Sequence, residues 1–358
     1  MATHHHRWRG RRAGVEPTPG IMTVTPPPAA GRLRLDDDND LVTAVPYLVG
    51  FHPEDSLVCV CLRGDRLGPV LHITSRLDAP ARAVAAGADA CRAAEVTAVY
   101  LIGYGRADHV DAVSVPLAAR LAAEHVIVLR MLRVQDGRGH VLGGNGHQCG
   151  LFAVEPGRST VAGHPLLRGR VVYASLAEVE ATAAAVTGDA RDAMHTAARA
   201  ARVRLDELRR GTALAGAPDR GRQRFEVLRL AEGIRAVGRA RAVTGRLSTA
   251  AVAWLVLMLT DRDVHFDAAA GCDGSPGEIE LWADVTRRAA PRLVAGPAAL
   301  LALNAYLGSQ DALAVVALAR ALAADPGNEL ARIVAEAQRR GVDRAGLRAA
   351  FTRTQPLR

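Results

Sequence analysis

The chain has 358 residues, of which 49% are hydrophobic, 23% charged and 4% aromatic, and its formal net charge is +8. This composition excludes a wholly disordered chain, a collagen-like chain and a disulfide-dense domain. All 45 basic residues are arginines, and the absence of lysine excludes a Schiff-base lysine, a pyridoxal-phosphate anchor and a phosphate-loop lysine.

Residues 1–40 predict a disordered tail, because three consecutive prolines precede an acidic run. Residues 41–188 alternate between apolar runs of strand length and alanine-rich helical segments. This alternation predicts an α/β domain with a mostly parallel sheet and helices on both faces. The predicted strands cover residues 56–62, 69–75, 96–105, 125–134 and 171–173. The predicted helices, the first of them a short helix or turn, cover residues 41–50, 81–94, 108–124 and 176–186.

Residues 189–358 show helical spacing of apolar residues throughout and predict an all-α bundle. Within it, residues 309–340 form a predicted pair of helices around a Pro-Gly turn. This pair is similar to a tetratricopeptide hairpin, with the small residues Ala314 and Ala321 toward the turn at Pro326.

Most of the positive charge lies in one segment. Residues 189–246 contain fourteen arginines against seven acidic residues. The spacing of apolar residues in this segment predicts two amphipathic helices. The second has Val227, Leu230, Ile234 and Val237 on its apolar face. The charge indicates either a solvated helical face or weak, non-specific contact with nucleic acid.

The cysteines and the N-terminus indicate the compartment. The cysteines are Cys59, Cys61, Cys91, Cys149 and Cys272. Their number is odd and no CxxC occurs, which predicts reduced, buried thiols. The basic start has no apolar core of a signal peptide behind it, and the longest apolar stretch is far short of the ~20 residues of a membrane-spanning helix. We therefore expect a cytoplasmic protein with no membrane partner.

The loops after two predicted strands form the candidate ligand site. Open parallel sheets bind ligands at the carboxyl ends of their strands. Arg76 and Asp78 follow the second strand, and Gly103, Gly105 and Arg106 follow the third. The glycines would let backbone approach a ligand, and either arginine would hold a carboxylate or phosphate. The structural alternative is that Arg76 and Asp78 pair with each other or face solvent.

The polar segment at residues 52–56 precedes a strand and has two interpretations. In a catalytic one, Glu54 or Asp55 acts as a base and His52 carries the proton. In the favoured one the segment is a tight turn, because Pro53 fixes φ and the side chain of Asp55 or Ser56 accepts backbone N–H bonds. The segment leads into the amino end of its strand, so we expect it at the opposite edge of the sheet from the ligand site.

The sequence offers one group of candidate zinc ligands: His140, His147, Cys149 and His164. Their spacing fits no usual zinc finger or ribbon. The GxSxG, HExxH, phosphate-loop and CxxC motifs do not occur. We therefore expect no bound metal and no cofactor, and the sequence identifies no catalytic residue.

Residues 45–62, VPYLVGFHPEDSLVCVCL, strongly resemble the opening of the domain of unknown function 4192 family, found in actinobacteria. Residues 76–80 are similar to the Arg-x-Asp-Leu-Pro element of that family, and residues 298–331 to its C-terminal signature. The chain departs from the family pattern at residues 139–146, which lack tryptophan. The resemblance spans residues 41–341 and implies domain boundaries at residues near 41 and 188, but it implies no activity.

Three classes of function remain open. The missing catalytic motifs favour a non-catalytic binding or scaffold protein, with a protein partner or a small anionic ligand. The alternative is an enzyme that acts on a small anionic substrate at the carboxyl edge of the sheet. A nucleic-acid binder that uses the arginine-rich helices is disfavoured, because aromatic residues for base stacking are scarce.

Overall fold

A computed structural model describes residues 21–25, 35–74, 80–159, 161, 164, 167, 170–214 and 216–353. Within these residues the strands form one sheet, and the chain after it is helical. The strands are β1 (Ile21–Val24), β2 (Ser56–Arg63), β3 (Arg66–Thr74), β4 (Ala98–Tyr104), β5 (Ile127–Gln135), β6 (Arg138–Leu142) and β7 (Gln148–Ala153). The helices of the sheet region are α1 (Asp38–Val49), α2 (Pro80–Ala93), α3 (Ala107–Ala123) and α4 (Leu176–Ala183). The helices that follow are α5 (Gly188–Gly211), α6 (Pro218–Ala242), α7 (Thr249–Met258), α8 (Arg262–Ala270), α9 (Pro276–Arg288), α10 (Ala295–Leu307), α11 (Asp311–Ala324), α12 (Glu329–Arg340) and α13 (Arg344–Arg353).

The sheet has the strand order β1-β3-β2-β4-β5-β6-β7 and is mixed rather than mostly parallel. Among the described strands, β4 and β5 pair in parallel and the other neighbours pair antiparallel. Short turns at residues 64–65 and 136–137 join β2 to β3 and β5 to β6, and such turns force antiparallel pairing. The helix α2 does connect two strands of the same direction, but β2 lies between them.

The two faces of the sheet are covered by different parts of the chain. On one face, Cys59, Leu71 and Leu101 pack with residues of α2 and α3 in one buried cluster. On the other face, Val58 and Ile102 belong to a second cluster that includes α1 and runs on into the C-terminal helices. The apolar core is therefore continuous from the sheet into the helical part of the chain.

Two segments differ from their predicted structure. Residues 21–24, within the predicted disordered tail, form β1, which pairs antiparallel with β3 and buries Val24 completely. Residues 171–173, a predicted strand, contribute to the described sheet region a single parallel bridge between Tyr173 and Phe51. Both segments are too short for sequence periodicity to separate a strand from a loop.

The two segments that resemble the family, residues 45–62 and 298–331, contact each other in the structure. Gly50 ends α1 with a φ of 89°, and a Cβ there would lie 3.1 Å from the Cβ of Ala312 in α11. Beside this contact, the hydroxyl of Tyr173 donates to Gln310 Oε1 at 2.7 Å. These contacts fix α11 against the end of α1.

A buried ion cluster lies at the same junction. The Asp311 carboxylate, with 3% of its side chain exposed, accepts hydrogen bonds from Arg344 at 2.7 and 2.9 Å and from Arg170 at 3.4 Å. Arg170 also donates to the carbonyl of Tyr47 at 3.3 Å. Burial lowers the pKa of Arg170, although Asp311 acts in the opposite direction. The helices α11 and α12 form the predicted helical pair, and its likeness to a tetratricopeptide hairpin stays a prediction.

Candidate functional site

The predicted ligand loop after β4 and the polar segment before β2 lie at the same edge of the sheet, meaning the edge that is formed by the ends of the strands. Because β2 runs antiparallel to β3 and β4, Ser56 pairs with Thr74 on one side and with Tyr104 on the other. The expectation that the two segments occupy opposite edges is therefore wrong. Asp55, with a φ of 40°, lies directly beside Gly105.

Protein atoms occupy the space beside both predicted site glycines. A Cβ at Gly103 would overlap Cγ1 of Val110, because α3 packs closely on β4 at this point. Gly105 has a φ of 122°, and a Cβ there would lie 2.8 Å from Asp55 Oδ1. The two glycines therefore allow close packing of α3 and of the Asp55 turn on the end of β4.

Arg106 is engaged with its own neighbour. Its guanidinium donates to both carboxylate oxygens of Asp108, at 3.1 and 3.0 Å, and both side chains are more than half exposed. These hydrogen bonds lower the pKa of Asp108. The other predicted site residues, Arg76 and Asp78, lie outside the described residues.

A row of polar side chains near this edge was not among the ligand-site residues predicted from the sequence. Arg133 on β5 donates to Asp111 on α3 at 2.5 Å, and desolvation raises the pKa of Asp111 despite the guanidinium. His140 on β6 is directly opposite Arg133, and its Nδ1 lies 2.9 Å from Gln148 Oε1 on β7. The row ties α3 to the β5–β7 ribbon.

The candidate zinc ligands do not form a metal site. Within the described part of the chain, no group of three or more His, Cys, Asp or Glu residues could hold a metal ion. His140 contacts Gln148, the ring of His147 contacts the side chain of Asn145, and the Cys149 thiol donates to a backbone carbonyl.

The arginine-rich segment forms the two long helices α5 and α6, which contact each other through Arg204 and Glu232 and through Arg209 and Phe225, and which we call the arginine hairpin. The helix α5 is mostly exposed, and its buried residues are Met194 and Ala201. Several exposed arginines of the hairpin have no acidic partner among the described residues. They are Arg199, Arg202, Arg209, Arg210, Arg220, Arg222, Arg224 and Arg239.

Exposed aliphatic side chains lie among these arginines on one side of α6. Val227 is 63% exposed and Ile234 is 38% exposed. Arg220, Arg224, Val227 and Ile234 have the spacing of one helical face, since residues four and seven apart lie above one another. We call these four residues the outer face of α6. Large exposed aliphatic residues beside unpaired arginines are typical of protein interfaces.

The side of α6 that packs inward consists of Val237 and small residues. Gly233, Ala236, Val237 and Ala240 are buried, and a Cβ at Gly233 would overlap the side chain of Val264 in α8. Of the predicted apolar face, Val237 is buried and Leu230 is partly buried, whereas Val227 and Ile234 are exposed. The run of small residues in α6 was the available signal for the true inner face.

None of the described helices is long and apolar enough to cross a membrane. The family model described as Domain of unknown function (DUF4192) matches residues 39–344 of the chain. No curated protein matches the chain, and no solved structure matches it.

Proposed function

Because this chain belongs to the DUF4192 family, whose description assigns no activity, we propose its function from geometry alone: a non-catalytic, cytoplasmic binding protein that recognises an acidic protein partner. The observation that supports the proposal is the outer face of α6, where Val227 is 63% exposed one turn after the unpaired Arg224. The free cysteines, four of them buried, support the cytoplasmic assignment.

The chemistry of the outer face defines the partner. Arg220 and Arg224 supply positive charge in the first turns of α6, and Val227 and Ile234 supply apolar contact farther along. The complementary surface is an amphipathic helix with carboxylates at one end of its apolar stripe. Arginine contacts at such an interface set orientation and association rate, and desolvated aliphatic contacts add affinity.

The first test uses a model partner, a fluorescent amphipathic peptide helix with glutamates at one end of a leucine stripe. We expect the double variant Arg220→Glu, Arg224→Glu to bind it at least about tenfold more weakly, because like charges would face each other across the interface. The control is the double variant Arg82→Glu, Arg332→Glu, which changes the net charge by the same amount at exposed arginines of α2 and α12 with no acidic partner among the described residues.

Fluorescence anisotropy at physiological ionic strength gives the dissociation constants. Equal loss in the double variant and in the control would show that net charge alone drives binding. That result would contradict the proposal and favour non-specific contact with polyanions, including nucleic acid.

A further inference from the structure

A second feature of the arginine hairpin is a cleft of about 420 Å³ between α5, α6 and the end of α7. Three guanidinium groups line it, those of Arg202, Arg209 and Arg229. Its apolar lining consists of Leu205, Phe225, Leu257 and Leu293. We propose that this cleft binds a small molecule that carries one carboxylate or phosphate group on an aromatic body.

The two arginines of α5 are available to a ligand. Arg202 and Arg209 are seven residues apart and therefore lie on the same side of α5. Both are exposed, and neither has an acidic partner among the described residues. The Arg209 Cζ atom lies 5.6 Å from the centroid of the Phe225 ring. An aromatic ligand can stack in this arrangement while its anionic group accepts guanidinium hydrogen bonds.

The third arginine is held in place by the protein. Arg229 donates to Thr260 Oγ1 at 2.8 Å, and its Nε lies 3.7 Å from Asp261 Oδ2. The Nε atom is buried and has no hydrogen-bond partner. Asp206 also lines the cleft. Two carboxylates therefore oppose three guanidinium groups, and the small surplus of positive charge suits a ligand with a single anionic group rather than a polyphosphate.

The cleft is separate from the outer face of α6. Phe225 and Arg229 are each two residues from Val227, which places them about 200° around the helix from it. The ligand site thus goes beyond the proposed protein interface, and a variant on one side of α6 can be tested without altering the other.

Isothermal titration calorimetry with 2-naphthyl phosphate and the full chain tests the site. We expect binding at one site per chain, at least about tenfold tighter than for neutral 2-naphthol or for inorganic phosphate, because each probe lacks one half of the recognition. The variants Arg209→Gln and Arg202→Gln should each weaken binding of 2-naphthyl phosphate about tenfold or more. The control Arg220→Gln, on the outer face, should change it less than about twofold.

Three results would overturn the proposal. They are absence of binding at millimolar 2-naphthyl phosphate, equal affinity for 2-naphthol, and equal loss in Arg209→Gln and Arg220→Gln. Because both arginines of α5 are exposed, the variants should melt like the parent chain, and a thermal scan checks this. Failure of this test leaves the acidic-peptide result unaffected, since that assay uses residues on the other side of α6.

Discussion

Replacement of Asp311 by asparagine should destabilise the protein strongly, because it removes the one carboxylate from the ion cluster at the junction. Arg344 is 18% exposed and Arg170 is 10% exposed, so both guanidinium groups would remain largely buried beside an uncharged amide. Breaking a buried ion pair in this way costs about 3–5 kcal/mol. The same change removes the charge that joins α11 to Arg170, next to the sheet region.

The matched control is Glu329→Gln. Both acids lie in the first turn of a helix, and both accept two hydrogen bonds from one arginine, at 2.8 and 3.0 Å for Glu329 and Arg262. The pair at Glu329 is exposed, however, with 53% of the acid and 67% of the arginine accessible. An exposed pair contributes about 0–1 kcal/mol.

Urea unfolding followed by circular dichroism measures both variants. We expect the midpoint of Asp311→Asn to fall by several times the change in Glu329→Gln, at an unchanged slope. Equal and small losses in the two variants would show that burial does not determine how much the ion cluster contributes to stability.

Three further predictions concern the sheet and the hairpin. Gly103→Ala should lower the free energy of unfolding by about 1–3 kcal/mol, because its Cβ would overlap Val110, and Gly144→Ala, with open space around it, should be near neutral in the same denaturation assay. Burial lowers the pKa of His72 to about 4, so the unfolded state binds more protons between that pH and about 6.5, and stability should fall by up to ~3 kcal/mol as the pH drops through this range. Thermal melts of His72→Gln should therefore show a smaller acid-induced loss than the parent chain, and an unchanged loss would exclude His72 as its source. Duplex DNA should bind the hairpin only weakly and without sequence preference, and an affinity that survives 200 mM salt would contradict this, since binding through phosphate contacts alone loses about 10³–10⁵ between 50 and 200 mM.

Local patterns predicted most of the elements but not the arrangement of the sheet. Apolar periodicity identified helices such as α2 and α3, which were predicted at residues 81–94 and 108–124 and lie within one residue of those bounds. The short turn at residues 64–65 accounts for the pairing of β2 with β3, but the pairing of β2 with β4 depends on contacts between distant parts of the chain, which no local pattern encodes. For that reason the position of the Asp55 turn beside Gly105 could not be predicted.

The candidate interface shows a second limit of sequence patterns. The spacing of Val227 and Ile234 correctly indicated one face of a helix, but a pattern does not show which face has a neighbour. In the structure, α8 packs closely enough on α6 to require Gly233, so the inner side holds Val237 with the small residues, and Val227 and Ile234 are outside. The same packing leaves the outer face open to a partner.

Site-specific photo-cross-linking in the cells that make this protein tests the proposed function most directly. A benzophenone amino acid replaces Val227, and the control replaces Ile333 on α12, which is 37% exposed. We expect a discrete protein adduct at position 227 that is lost when Arg220 and Arg224 are changed to glutamate, and no such adduct at position 333. Adducts that are identical at the two positions, or that disappear on nuclease treatment, would contradict a specific acidic protein partner.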